Sequence, residues 1–198
     1  MKKQDKIFKL MLAVIAAVFF VTISRVGIHA GTAETQFSME GKTKTDRFII
    51  LNYVIDAPAD KVFELWTTVD GTRKFFGKDA VIELKPGGKY EIYFLPRTDP
   101  MSIPNSTKGA RLMWIKKGKE LAFEWTAPPW AAALNKKPLP TWVVVNFRPL
   151  KNKPGKTHII LTHQGFKRAG SWDRTYEFFV RNWSGILFRL DLYFAAKK

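Results

Sequence analysis

Two histidines are the residues of this sequence whose type and spacing come closest to a metal or acid–base site. His158 and His163 lie five positions apart on one predicted strand, so their side chains point to opposite faces and share no ion unless a bulge intervenes. We therefore predict no metal site. His163 has the parity of the apolar residues Ile159 and Leu161. It is either a hydrogen-bonded core histidine or a polar contact and general base inside a cavity.

A pair of carboxylates is the other arrangement that could perform chemistry. Glu83 and Glu91 have the same parity across a predicted hairpin, and facing carboxylates about 5 Å apart would suit a retaining glycosidase. They share a face with Val81 and Tyr93, opposite the apolar set, which predicts that they face solvent. No Ser stands in a nucleophile-elbow motif and no Gly-rich loop links a strand to a helix. The sequence therefore predicts no catalytic residues and no cofactor.

The charge and cysteine content limit the partners. The chain of 198 residues has no cysteine and a formal net charge of +16. Its lysines cluster at turns rich in Gly and Pro, which favours a solvated basic surface, with contact to an anionic membrane as the second interpretation. Basic and aromatic residues alternate along strands and so point to opposite faces, which does not favour specific nucleic-acid binding.

The amino-terminal segment has the pattern of a secretory signal. A basic start precedes the charge-free apolar run 10–23, and small residues follow at Ala30 and Ala33. We predict a signal peptide over residues 1–33, with an uncleaved N-terminal anchor as the alternative, and a flexible lead-in over 34–46. The predicted location is exported, either periplasmic or secreted, and residues 47–198 form one domain.

The remaining pattern predicts an α+β domain. A strand over 48–55 leads into a helix that stops near Asp70 and Gly71. Three hairpins follow, and residues 171–195 read as one long helix that Ser171 can cap. An apolar loop over 128–134 separates the second hairpin from the third.

Many large rings lie on the apolar faces of these elements. They are more numerous than an ordinary small core requires, so they either pack closely without a void or line an apolar pocket. The rings concerned are Trp66, Phe123, Trp125, Trp142, Trp172, Tyr176, Phe179 and Trp183.

Several segments resemble a known superfamily. Residues 54–67 (VIDAPADKVFELWT) are similar to the opening strand and helix of SRPBCC (START-like, helix-grip) domains, as are 87–92 (GGKYEI), 121–125 (LAFEW) and the aromatic terminal helix. The branch most resembled is the C-terminal domain of heat-shock-protein-90 ATPase activators. The resemblance implies a curved antiparallel sheet of about seven strands around the long C-terminal helix, with a cavity that holds lipids or other hydrophobic molecules.

The resemblance favours the pocket over the packed core. We expect the exported chain to bind a hydrophobic or amphipathic, lipid-like small molecule, with the loop 128–134 covering the entrance. The predicted pocket residues are Trp66, Phe123, Trp125, Trp142, His163, Trp172, Tyr176 and Phe179. Two alternatives stay open. One is a cyclase- or dehydratase-type enzyme using His163 or Tyr176, and the other is a protein-interaction domain with a filled core.

Overall fold

The computed structural model describes residues 46–168 and 170–197. The predicted signal peptide over 1–33 and nearly all of the predicted lead-in over 34–46 lie outside the described residues. The first strand that the structure describes begins at Asp46.

Seven antiparallel strands make up the sheet layer, as the resemblance implies. They divide into a five-stranded sheet in the order β1-β7-β6-β5-β4 and a two-stranded sheet of β2 and β3. A bridge between Lys89 and Arg111 and a hydrogen bond from Tyr90 N to Ala110 O (3.0 Å) link the two sheets. The strands are β1 Asp46–Ile55, β2 Asp79–Ile82, β3 Tyr90–Tyr93, β4 Leu112–Lys116, β5 Glu120–Trp125, β6 Thr141–Pro149 and β7 Thr157–Lys167.

Two short helices connect β1 to β2, where the sequence predicts one. Helix α1 covers Ala59–Thr67 and α2 covers Val69–Phe75. The predicted stop near Gly71 is wrong because the Thr68 hydroxyl accepts a hydrogen bond from Gly71 N (3.0 Å) and caps a new helix. A side chain at Gly71 would lie against the backbone of α1, so only glycine fits this tight junction.

The terminal helix α3 has the predicted bounds, Ser171–Ala195. Its cap differs from the prediction: the capping position is Gly170, with φ 53°, and Ser171 is already the first residue of the helix. The Ser171 carbonyl accepts a hydrogen bond from the Thr175 hydroxyl (2.7 Å). The helix packs against β1, β7 and α2. The arrangement confirms the α+β helix-grip fold.

A bulge in β7 changes which residues face α3. Ile49 pairs with His163 but Arg47 pairs with Phe166, so β7 has one extra residue there. Gly165 carries the distortion, with φ 94°. His163 and Phe166 therefore face the same side, both fully buried, with their ring centroids 4.5 Å apart.

The middle of the layer between α3 and the sheet is filled by aromatic rings. The Trp66 ring lies 5.2 Å from the rings of both Phe75 and Phe76, and Phe76 stacks on Trp125 at 5.6 Å. Trp125 in turn lies 4.9 Å from Trp183 of α3. Rings therefore occupy the region where the resemblance implies open space.

Candidate functional site

A pocket of about 290 Å³ opens beside α3, where the helix passes the ends of β3 and β5. We call it the α3 pocket. Its inner wall consists of Trp125, Phe179 and Trp183, all buried. The strand alternation of β5 turns Trp125 inward, and the spacing of four residues puts Phe179 and Trp183 on one face of α3. The other lining residues are Phe94, Pro104, Asn105, Ser106, Thr107, Thr126, Ala127, Pro128, Pro129, Phe178, Asn182, Ile186 and Arg189.

The loop that was predicted to cover an entrance stands at the rim of this pocket. Pro129–Leu134 forms a 3-10 helix, and Pro128 and Pro129 line the pocket. The exposed Trp130 ring lies 5.7 Å from the Phe178 ring, and the Arg174 guanidinium stacks on it at 4.5 Å. The loop is therefore held to α3 by one tryptophan.

The polar lining groups are mostly engaged with the backbone. The Thr126 hydroxyl donates to Ser106 O (3.1 Å), and the Asn182 amide donates to Phe178 O (2.8 Å). Arg189 donates through Nε to Phe75 O (2.9 Å) and is the one charged residue of the lining. The pocket is therefore apolar on its inner wall and carries a single positive charge.

His163 lies behind the inner wall and does not line the pocket. It is fully buried, and its Nδ1 accepts a hydrogen bond from Trp183 Nε1 (3.0 Å). This bond places the ring proton on Nε2, which has no partner. Burial lowers the pKa of His163 well below its usual value, so the ring is neutral. The geometry matches a core histidine that orients Trp183.

Tyr176 and Trp172 lie near the start of α3, away from the pocket lining. The Tyr176 hydroxyl is 3.5 Å from Phe48 O, and its ring lies under the Arg47 guanidinium at 4.6 Å. Arg47 also forms an ion pair with Asp173. Tyr176 thus joins α3 to β1, and it does not line the pocket that Trp125 lines.

The other predicted pocket residues are in the core or on the outer face. Trp66 and Phe123 are fully buried, and Phe123 stacks on Tyr90 at 4.3 Å. Trp142 is half-buried beside Val143, which is fully buried on the inner face, so Trp142 points away from α3. Its predicted place between sheet and helix is therefore wrong. Of the eight predicted residues, Trp125 and Phe179 line the α3 pocket.

The carboxylate pair does not form, and one member is buried. Glu91 pairs with Val81 across the small sheet, whereas Glu83 stands opposite Lys89. Glu91 accepts bonds from the Tyr93 hydroxyl and from Gly109 N, both at 2.8 Å, and is 7% exposed. The predicted solvent position of Glu91 is therefore wrong. Burial and the neighbouring Glu91 raise the pKa of Tyr93 to about 12. The cluster fastens the loop before β4 onto β3.

Two further properties concern the part of the chain that the structure describes. It contains no group of three or more His, Asp or Glu residues placed to hold a metal ion. None of its helices combines the length and the apolar character that a membrane span requires.

A comparison with protein families assigns this architecture. Residues 56–195, more than two thirds of the chain, match the family described as Activator of Hsp90 ATPase homolog 1-like protein. The chain belongs to this family. A comparison with curated proteins finds no match. The family assignment confirms the SRPBCC-type resemblance, and a fold of this kind is consistent with binding in a hydrophobic cavity.

Solved structures similar to this member of the Hsp90 ATPase activator-like family support the fold. Protein MLL2253 of Mesorhizobium loti has 15% identity and a TM-score of 0.58 over 77% of this chain and 99% of its own. Protein NE0264 of Nitrosomonas europaea has 16% identity and a TM-score of 0.56 over 79% and 97%. The Aha1 dimer of Colwellia psychrerythraea has 15% identity and a TM-score of 0.52 over 73% and 92%.

Sequence reasoning missed the polar side of the pocket. Asn182 and Arg189 carry no individual signal in the sequence, although Asn182, Ile186 and Arg189 repeat at steps of four and three along α3. That spacing places them on one helix face, adjacent to Phe179. Helix periodicity could have grouped them, but only the fold shows that this face borders an opening.

Proposed function

We propose that this chain binds a compact hydrophobic or amphipathic small molecule in the α3 pocket. The observation that supports this most is the apolar inner wall of Trp125, Phe179 and Trp183 in a pocket of about 290 Å³. Ligand pockets are usually apolar with a few polar groups and have volumes of roughly 300–1,000 Å³. The pocket is at the lower end of this range, which favours a molecule smaller than a two-chain lipid.

Native mass spectrometry of the protein purified from its own host tests this proposal. Ala127 lines the pocket, so Ala127→Phe adds a ring inside it, whereas Ala132→Phe adds the same ring at an exposed position of the 3-10 helix. We expect a bound mass in the wild type and in Ala132→Phe, and its loss in Ala127→Phe. A protein that carries no adduct and rejects apolar probes in all three forms would refute the proposal.

We propose further that the ligand is exchanged outside the cytoplasm, after export directed by residues 1–33. The basic start, apolar run and small residues of this segment support that location. Cell fractionation of the host, with and without reversal of Lys2 and Lys3 to Glu, tests it. Recovery of the unaltered chain in the cytoplasmic fraction would contradict export.

Contact with an anionic membrane is proposed for the loops around the pocket. Met101 and Ile103 are more than half exposed and directly precede the lining residue Pro104, and Lys136 and Lys137 follow the 3-10 helix at the rim. Apolar tips beside basic residues are suited to an anionic bilayer surface. Flotation with vesicles of phosphatidylglycerol should carry the protein, and Met101→Ser with Ile103→Ser should abolish it. Equal flotation with phosphatidylcholine would contradict a charge-based contact.

A second candidate function, interaction with another protein, is favoured by the ring-filled core. The family description, which refers to an activator of the Hsp90 ATPase, suggests the kind of partner. This function needs no pocket, so Ala127→Phe should leave it intact. Stimulation of a bacterial Hsp90 ATPase by the purified chain, equal in wild type and Ala127→Phe, would favour this candidate over small-molecule binding.

A further inference from the structure

Arg189 is fixed in a position from which it can bind a charged group in the α3 pocket. Its Nε donates to Phe75 O (2.9 Å), which holds the plane of the guanidinium. Gly185, one turn earlier on α3, lies beside the guanidinium, since a Cβ there would be in ordinary van der Waals contact with Arg189 Nη1 at 3.8 Å. The guanidinium therefore lies back along the helix over Gly185, and Arg189 is one of the residues that line the pocket.

The charge of Arg189 is not neutralised within the described part of the chain. No Asp or Glu lines the pocket, and none of the ion pairs found among residues 46–168 and 170–197 includes Arg189. Asn182, its nearest polar neighbour along the lining face, donates to Phe178 O. The pocket thus presents one uncompensated cation beside an apolar wall.

We infer that the ligand of the α3 pocket is a compact organic anion, with a carboxylate or sulfonate at Arg189 and its apolar body against Trp125, Phe179 and Trp183. This inference rests on the proposed function and specifies the ligand class. A guanidinium donates two parallel hydrogen bonds to a planar carboxylate, a geometry that an ammonium does not reproduce. The volume of about 290 Å³ suits a body of one or two fused rings.

The test is calorimetric titration of the full chain with a matched series: 2-naphthoate, methyl 2-naphthoate and 2-naphthylmethylammonium. The three probes share one ring system and differ in charge. The proteins are the wild type, Arg189→Gln, Arg189→Lys and Arg181→Gln. Arg181 is an exposed arginine on the same helix that does not line the pocket, so its variant controls for net charge.

We expect the wild type to bind 2-naphthoate about tenfold more tightly than its ester, which corresponds to ~1.4 kcal/mol, and to bind the ammonium most weakly. Arg189→Gln should abolish this preference without changing the affinity for the ester. Arg181→Gln should retain the full preference and Arg189→Lys part of it. Because Arg189 is exposed, 0.5 M salt should reduce the preference.

Three results would overturn the inference. Equal affinity of the wild type for the acid and the ester would show that the pocket does not select anions. If the preference survives in Arg189→Gln, it arises from another cation. If it falls equally in Arg181→Gln, it arises from the overall charge of the protein. Failure of every probe to bind would refute the proposed function itself, and thereby remove the basis for selection at Arg189.

Discussion

His163 should make the folding stability of this domain decrease as the pH falls below about 6.5. An unfolded histidine has a pKa of about 6.5, whereas burial holds the pKa of folded His163 well below that value. Between the two values the unfolded chain binds a proton that the folded chain does not. The free energy of unfolding therefore rises with pH in this window and falls on acidification.

The surroundings of the ring explain why the folded state resists protonation. The His163 ring lies 4.5 Å from Phe166 and 4.9 Å from Phe179, and its Nδ1 is occupied by the Trp183 N–H. A second proton would have to displace that bond. The positive charge would then be buried among aromatic rings, and none of these contacts brings a carboxylate to the imidazole.

The linkage relation gives the size of the effect. One differential proton changes the free energy of unfolding by about 1.4 kcal/mol per pH unit. Because the unfolded histidine is already half protonated at pH 6.5, the loss between pH 6.5 and 5 should be about 1.6 kcal/mol, or roughly 3–6 °C in the melting temperature of a domain of this size. Ordinary carboxylates have pKa values of about 4, so they contribute little in this window.

Urea unfolding of the wild type and of His163→Asn between pH 5 and 7.5 provides the assay. Asparagine keeps an acceptor near the position of Nδ1 for Trp183 but cannot titrate, so its stability should be nearly flat. His158→Asn serves as a control because His158 is half-buried and lies on the other face of β7. Parallel curves for the wild type and His163→Asn would refute the reasoning.

Three other predictions concern packing and the pocket rim. Gly165→Ala should cost about 3 kcal/mol or more, since the new methyl meets Pro140 O at a positive φ. Gly155→Ala, with a positive φ but open space, should cost ~1 kcal/mol, and equal losses in urea unfolding would contradict the clash. Glu91→Ala should lower the free energy of unfolding by roughly 2–3 kcal/mol, because it leaves Gly109 N and the Tyr93 hydroxyl unpaired. The same change at the exposed Glu83 should cost less than ~0.5 kcal/mol, and similar values for the two variants would disprove the role of burial. Trp130→Ala removes the ring that holds the 3-10 helix to α3, so it should speed the release of 2-naphthoate several-fold in stopped-flow fluorescence. Phe188→Ala, which removes another exposed ring, should leave the rate unchanged, and an unchanged rate in Trp130→Ala would mean that the 3-10 helix does not cover the pocket.

The fold followed from sequence wherever hydrophobic periodicity was long and uninterrupted. Helix α3 has the predicted bounds because its apolar stripe recurs over many turns, and the three hairpins appear where alternating runs flank turn residues. Strand β7 continues to Lys167, and its last residues do not follow the alternation of its first part because the bulge at Gly165 reverses the parity. Helix α2 was missed because Gly71 reads as a stop signal, while its tight approach to α1 is a tertiary feature.

The site was predicted less completely, and the reason is physical. The sequence indicates which rings are apolar and inward-facing but not whether they leave a void, since this depends on how Trp66, Phe76 and Trp125 interlock. Parity placed His163 on the inner face correctly. The role of Arg189 depends on its bond to Phe75 O, more than one hundred positions away in the chain, and no local pattern encodes that contact.

The close pair of Trp125 and Trp183 has a consequence for experiments on this domain. The two indole rings have centroids 4.9 Å apart and planes inclined at 46°, so their electronic transitions couple and should give a split circular-dichroism band in the ultraviolet. Both rings form the inner wall of the α3 pocket, so a molecule entering it changes the medium around the pair. The unlabelled protein thus contains its own optical sensor, which would let mixtures of candidate compounds be screened without a tag or a dye.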